Sequence, residues 1–193
     1  KPADALPNAK VAYQATPNFR NLSLLLYTHE QLNQKEQGLT LLTQHLDTQP
    51  NDLAARMLLA ERQITSDTDA AMDSYEIALK QNPNNFIARN NLAYLYMEGG
   101  DIQKAKEHAL IAVELQPDNA ASIDTLAQIL VKEKNYEQSF KWVLKAAEGK
   151  YSSAFQKVAE LYEKGLGVEK DQAMANFWHK KWIASIEQQA LQR

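Results

Sequence analysis

The sequence has no cysteine among its 193 residues. Disulfide bonds and thiolate metal sites are therefore excluded, and the redox compartment is left open. Histidine is also sparse, and none of the four residues stands in the HExxH spacing that binds zinc on a helix. We therefore predict no metal site and no cofactor. We interpret each histidine as a surface or packing residue: His29, His45, His108 and His179.

A strong charge of one sign and a long apolar run are missing too. The formal net charge is only −3, whereas nucleic-acid-binding domains usually carry a concentrated basic patch. No stretch approaches the about 20 apolar residues that cross a bilayer as a helix. The first residues show no signal-peptide pattern. The chain begins with Lys1 rather than methionine, so we expect a processed or excised chain. We predict neither a nucleic-acid partner nor a membrane span in this segment.

Glycine and proline are scarce, at six residues each. Alanine, leucine, glutamine, lysine and glutamate dominate, and all of them favour the helix. Runs of β-branched residues with period-two alternation, which would indicate strands, are absent. With 45% hydrophobic and 23% charged residues, the chain has the balance of a folded domain. The composition therefore predicts an all-α protein.

Four of the prolines recur at a nearly constant interval. Pro17, Pro50, Pro83 and Pro117 are separated by 33, 33 and 34 residues, and an Asn or Asp follows each one. Proline cannot continue a helix, and it disfavours the helical conformation of the residue before it. Asn and Asp are good N-caps. Each proline therefore marks the end of one helix, and we expect the residue directly after it to cap the next.

The segments between these prolines repeat in register. They resemble the tetratricopeptide repeat, a helix–turn–helix unit of about 34 residues. The resemblance predicts four units, at 18–50, 51–83, 84–117 and 118–150; the first fits less well, because His45 replaces an alanine. The residues that carry the resemblance are Leu92, Ala93, Tyr96, Ala105, Ala109, Ala112 and Pro117 in one unit, and Leu59, Ala60, Ala71, Tyr75, Ala78 and Pro83 in the unit before it.

The two ends of the chain differ from these units. Residues 151–193 are similar to a Sel1-like repeat followed by a capping helix, because a GxGV turn at Gly165 to Val168 separates two helical patterns. Residues 1–17 are expected to be the second helix of a truncated repeat or an N-terminal capping helix. The resemblances together imply a right-handed α-solenoid of antiparallel helix pairs, with about 11 helices. The other residues that match the Sel1-like pattern are Ala154, Val158, Ala159, Tyr162, Asp171, Ala175, Trp178 and Lys181.

Proteins of the tetratricopeptide family hold peptides or protein segments in a concave groove lined by the first helix of each pair. The resemblance implies that partner-binding residues lie on that face, where amides can pair with a peptide backbone and tyrosines supply contact area. The projected face carries more acidic than basic residues, which favours a neutral or mildly basic partner. The basic clamp of chaperone-binding members is not evident. The projected groove residues are Arg20, Tyr27, Glu61, Asn90, Asn91, Tyr94, Asp124, Gln128, Gln156 and Glu160.

Motifs for catalysis are absent, so we predict no catalytic residue and no enzyme activity. The sequence has no GxSxG, and Gly165-Leu166-Gly167 is half of a nucleotide-loop pattern without a preceding strand. The leading hypothesis is a scaffold that binds another protein or an extended peptide. Two alternatives stay open: a substrate-recruiting domain of a larger enzyme, and a module that self-associates through its terminal repeats.

A narrower resemblance concerns cellular context. Residues 90–95, 115–121 and 124–131 are similar to the final repeats of bacterial lipoproteins of the PEP-CTERM system, which are linked to exopolysaccharide production and protein sorting. This resemblance favours the bacterial cell envelope or periplasm over the cytoplasm. It also implies that the chain is a fragment of a longer lipoprotein.

Overall fold

The computed structural model describes residues 2–190, except for the side chains of residues 153 and 189. Within that range the chain forms helices joined by short turns and no strand, so the predicted all-α class and helix number are confirmed. The eleven helices are α1 (Pro2–Ala15), α2 (Phe19–Gln31), α3 (Lys35–Thr48), α4 (Leu53–Gln63), α5 (Thr68–Gln81), α6 (Phe86–Glu98), α7 (Ile102–Leu115), α8 (Ala120–Lys132), α9 (Tyr136–Glu148), α10 (Ser152–Lys164) and α11 (Gln172–Ala190).

The helices divide into two compact units, and the division falls between Ala88 and Arg89, inside α6. In unit 1, which ends at Ala88, each helix from α1 to α5 packs against the next one in the chain. In unit 2, which begins at Arg89, the same holds from α7 to α11, and α8 also contacts α10. Each unit is therefore built by stacking neighbours, as expected for helical repeats.

Small residues at the repeat positions allow the helices to pack closely. Ala60, Ala71 and Ala78 are fully buried in unit 1, and Ala105 and Ala109 are fully buried in unit 2. Larger buried side chains fill the space between them, because protein interiors are close-packed. The core residues that the repeat pattern predicts are therefore inside both units.

The turn after Pro50 shows how one helix gives way to the next. Pro50 and Asn51 are the central residues of a turn in which the Asp52 N–H donates to the Gln49 carbonyl at 3.1 Å. Proline is favoured at the second position of such a turn because its φ is already set. The Asp52 carboxylate then accepts from the Ala55 N–H at 3.0 Å and caps α4. The cap is therefore one residue later than we expected.

The same shift occurs at two other prolines. Asn85 and Asn119, not the residues directly after Pro83 and Pro117, accept the first backbone N–H groups of α6 and α8. Only after Pro17 does the next residue, Asn18, cap its helix. The expectation was wrong at three of the four prolines because the residue after each of these is used inside the turn.

Unit 1 contains a hydrogen-bonded chain of three side chains, of which His45 is buried and Tyr13 and Asp52 are half-buried. The Tyr13 hydroxyl lies 2.8 Å from Nδ1 of His45, and Nε2 of His45 lies 2.9 Å from the Asp52 carboxylate. Because a carboxylate only accepts, the neutral imidazole that fits this geometry donates from Nε2 to Asp52 and accepts the Tyr13 O–H at Nδ1. His45 is 1% exposed, so the chain joins α1, α3 and the cap of α4 through the interior. This agrees with a packing role for His45.

The GxGV turn of the Sel1-like segment presses against another helix of unit 2. Gly165 ends α10 in the left-handed conformation, and Gly167 also has a positive φ of 73°. A Cβ added at Gly167 would lie 2.0 Å from the Tyr136 carbonyl oxygen, at the start of α9. Only glycine fits a positive φ and such a close approach of two backbones.

Candidate functional site

Three projected groove residues lie in unit 1, and the structure does not gather them. Arg20 and Glu61 are exposed on α2 and α4. Tyr27 is 58% exposed and lines a cleft of about 230 Å³ that Pro2 and Ala5 of α1 also line. Among the described residues, neither Arg20 nor Glu61 lines that cleft. Unit 1 therefore offers single exposed side chains and no shared groove made from these three.

The other projected residues lie in unit 2, at equivalent positions of successive first helices. Tyr94, Gln128 and Glu160 are each the ninth residue of their helix, in α6, α8 and α10. Tyr94 is 45% exposed, Gln128 is half-buried and Glu160 is exposed. Residues at one position of successive repeats form a row along the stack. The remaining projected residues are the half-buried Asn90, Asn91 and Asp124 and the exposed Gln156.

A cleft of about 350 Å³ opens between α8 and α10, with α9 contributing to its lining. Gln128 and Glu160 line it, so two of the projected residues share one cavity. Asp124 lines a narrower neighbouring pocket that shares Val143 and Lys157 with this cleft. We call the larger cavity the α8–α10 cleft. Its lining residues are Ala127, Gln128, Val131, Lys132, Ser139, Val143, Lys157, Glu160 and Leu161.

The carboxylates of this face are paired with lysines that the sequence projection did not include. Asp124 of α8 forms an ion pair with Lys157 of α10, and Glu160 pairs with Lys164 on the same helix. Lys132 Nζ lies 3.3 Å from Oε1 of Glu98, which joins α8 to α6. The acidic excess that favoured a mildly basic partner is therefore cancelled within unit 2.

A sequence signal for these lysines existed. Lys132 follows its partner Glu98 by 34 residues in the sequence, and Lys157 follows its partner Asp124 by 33 residues. Both separations are one repeat length, so opposite charges one repeat apart indicate a bridge between neighbouring first helices. The projection missed them because it considered each helix face separately.

Asn90 is less available to a ligand than the projection assumed. Its Oδ1 atom is buried and has no hydrogen-bond partner among the described residues. A buried acceptor cannot reach the N–H groups of a bound backbone, so only the rest of this amide can contribute to the face.

A second, larger cleft of about 600 Å³ lies in unit 1, where the sequence predicted no site. It is lined by residues of α1, α2 and α3, including Tyr13 and His29. The projection missed it because it treated residues 1–17 as a terminal helix without a function.

The Tyr13, His45 and Asp52 chain has the order of a nucleophile, a base and an orienting acid. Burial, and next the negative charge of Asp52, raise the pKa of the Tyr13 hydroxyl above 10.0. The three side chains also link separate elements, since Tyr13 lies on α1, His45 on α3 and Asp52 at the cap of α4. We therefore interpret the chain as structural.

Grouped metal ligands and membrane-spanning helices are both missing from the part of the chain that the structure describes. Within it, no cluster of three or more His, Asp or Glu side chains has the arrangement of a metal site. In the same residues, no helix has the length and apolar character needed to span a bilayer.

Two family models match the chain. The tetratricopeptide repeat model matches residues 74–107, and the Sel1 repeat model matches residues 130–151 and 156–185. The tetratricopeptide match spans parts of two predicted units, 51–83 and 84–117, and the first Sel1 match covers the second half of the segment that we assigned to a fourth tetratricopeptide unit, 118–150. The second match, at 156–185, contains the GxGV turn and Trp178.

Several solved structures share the fold, and two of the three described next are named as tetratricopeptide repeat proteins. MamA from Desulfovibrio magneticus RS-1 is 18% identical, with a TM-score of 0.67 over 78% of this chain and 86% of that one. A tetratricopeptide repeat protein from Parabacteroides merdae is 17% identical, with a TM-score of 0.69 over 97% and 72%. YrrB, described as a TPR protein with an unusual peptide-binding site, is 16% identical, with a TM-score of 0.68 over 91% of both chains. At these identities the likeness concerns the fold alone.

Proposed function

Because the chain belongs to the TPR and Sel1 repeat superfamily and has its α-solenoid fold, we propose that unit 2 binds an extended segment of another protein. The observation that carries the proposal is the α8–α10 cleft, which two of the projected groove residues line. A scaffold of this kind needs no catalytic group, and the proposal assigns none to the chain.

The row of ninth residues suits an extended ligand. Tyr94 and Gln128 lie one repeat apart on α6 and α8, and both reach the surface. Tyrosine offers a large, fairly rigid contact area, and glutamine can both donate to and accept from a peptide backbone. YrrB, which has a similar fold, is described as having a peptide-binding site. That description supports the proposal by analogy of fold only.

We expect replacement of Tyr94 and Gln128 by alanine to weaken peptide binding. Random linear peptides displayed on phage would be selected on the wild-type chain, and the enriched peptides titrated by fluorescence anisotropy. The double variant should raise Kd by about tenfold or more, since truncating central contacts commonly costs more than 1 kcal/mol each. Circular dichroism should show unchanged helicity.

The matched control changes two exposed residues of α7, Gln103 and Glu114, to alanine. This control should leave Kd unchanged. Equal binding by wild type, double variant and control would place the binding surface outside the row. Failure to enrich any peptide would count against segment binding altogether.

Self-association is the second reading, and light scattering of the same samples distinguishes it. Ile183 and Ile186 of α11 are 50% and 47% exposed, and exposed apolar side chains near one another favour association. A mass that rises with protein concentration would support an assembly module. A constant monomer mass leaves the row free for a partner.

The proposed context is protein sorting at the bacterial cell envelope. It depends on the similarity of residues 90–95, 115–121 and 124–131 to envelope lipoproteins, and on no contact in the structure. Recovery of the native protein in the cytosolic fraction of its cells would contradict it.

A further inference from the structure

The polar side chains that line the α8–α10 cleft already have partners within unit 2. The Ser139 hydroxyl donates to the Ala127 carbonyl at 3.0 Å, below the surface. The Gln128 amide donates to the Asp124 carboxylate at 2.7 Å. A ligand group that took the place of either bond would gain little from the exchange, although the Gln128 Oε1 atom can still accept from a peptide N–H at the rim of the cleft.

The charged side chains of the cleft are also engaged. Lys157 is paired with Asp124, Lys132 with Glu98, and Glu160 with Lys164. A charged ligand group would therefore meet side chains whose charge is already balanced by a neighbour. A charge that enters the cleft also loses hydration, which the paired side chains do not restore.

What stays uncommitted in the cleft is apolar surface. Val131, which is 38% exposed, stands at the opening, and Val143 and Leu161 lie deeper and are buried. Removing apolar surface from water is favourable and needs no directional partner. A volume of about 350 Å³ is at the lower end of the range for ligand pockets, so the cleft suits a side chain better than a cofactor.

We infer that the α8–α10 cleft takes one bulky aliphatic or aromatic side chain of the bound segment. This inference rests on the proposed function and adds which segments unit 2 selects. The residue of the segment whose side chain enters the cleft, here called the anchor residue, is uncharged and apolar. The row of Tyr94 and Gln128 contacts the backbone on either side, whereas the cleft discriminates among side chains. Salt concentration affects the anchoring contact little, since no charge is exchanged.

The test uses the same displayed random peptides, selected on the full chain. The enriched peptides should share a Leu, Ile, Phe, Met or Trp at one fixed position. Replacing that residue by serine, or Val131 by aspartate in the protein, should each raise Kd by about tenfold or more, the effect of leaving such a side chain unburied. Changing both together should cost less than the two single effects combined, because the two residues share one contact.

Leu110→Asp is the matched control, since Leu110 is 40% exposed on α7 and does not line the cleft. It should leave Kd unchanged. Val131→Thr keeps the branched shape and should weaken binding less than Val131→Asp does. Thermal unfolding of each variant shows whether unit 2 stays folded, and the serine-substituted peptide tests the anchor on the unaltered protein.

The outcomes separate the two proposals. Peptides that need Tyr94 and Gln128 but carry no apolar anchor, or that bind Val131→Asp as well as wild type, would overturn the anchor and leave segment binding intact. A charged anchor with a strongly salt-dependent Kd would overturn it too. If no peptide is enriched, both proposals fail.

Discussion

Gly167→Ala is expected to lower the free energy of unfolding of unit 2 by about 3 to 5 kcal/mol, the range of the most damaging single substitutions. Two costs combine at this position. Gly167 has a φ of 73°, where an L side chain is strained by about 1 to 2 kcal/mol. The new Cβ would also lie 2.0 Å from the Tyr136 carbonyl oxygen, which is backbone and cannot rotate away.

Relief of that clash requires the turn between α10 and α11 to move away from the start of α9. Urea unfolding followed by circular dichroism measures the loss. Tryptophan fluorescence reports on the same region, because Trp178 of α11 is buried with its ring centroid 5.8 Å from that of Phe155 on α10.

The chain supplies a matched control in Gly100, which lies in the turn between α6 and α7. Gly100 has a φ of 86°, but a Cβ there would meet no atom within 4 Å. Gly100→Ala therefore carries the backbone strain alone and should cost about 1 to 2 kcal/mol. Equal losses for the two variants would mean that the contact with Tyr136 contributes nothing.

His45→Ala should destabilise unit 1 by about 2 to 4 kcal/mol, although alanine is the residue that the repeat pattern leads one to expect there. The substitution removes a buried ring and leaves a cavity. It also leaves the half-buried Tyr13 hydroxyl and one carboxylate oxygen of Asp52 without their bonds at 2.8 and 2.9 Å, and an intramolecular hydrogen bond contributes about 0.5 to 1.5 kcal/mol. Restoring the family residue should therefore be harmful, because its neighbours have adapted to the imidazole.

Urea unfolding of His45→Ala, with two companion variants, tests this expectation. Tyr13→Phe deletes a single hydroxyl and should lose about 1 kcal/mol. His179→Ala, at a half-buried histidine of α11, should stay within about 0.5 kcal/mol of wild type, as surface changes usually do. A stability of His45→Ala equal to or above that of wild type would show that the hydrogen-bonded chain contributes no net stabilisation.

The ends of the helices and the repeat interval could be predicted from the sequence, because prolines mark the first and recur with the second. Pro50 and Pro83 both stand just beyond the last residue of a helix, because a missing N–H and a fixed φ oppose its continuation, whereas Pro7 lies inside α1. The position of each cap was not predictable to the residue, because Asn51 could cap a helix or sit inside a turn. In the structure the Gln49 carbonyl accepts the Asp52 N–H, which places Asn51 inside the turn.

The sequence could predict which helix faces carry the candidate site, but it could not predict the cleft between those helices. Helical spacing places Gln128 and Glu160 at equivalent positions, and both line one cleft. The partner of Asp124 lies on another helix, so a single helix face could not reveal that Lys157 neutralises this carboxylate. In the sequence, His45 is visible only as a departure from the repeat pattern. Its contribution to stability depends on a hydrogen bond to Tyr13, which is 32 residues away.

Asp52 performs two tasks with one side chain, and this has a consequence for cooperativity. One oxygen initiates α4, and the other holds the imidazole that in turn holds α1. In most helical arrays each element depends energetically on its immediate neighbours only. Here, fraying of the N-terminal helix would release His45 and so loosen the first turn of a helix three elements further along the chain. Opening of α1 is therefore coupled to opening of α4 through one shared carboxylate.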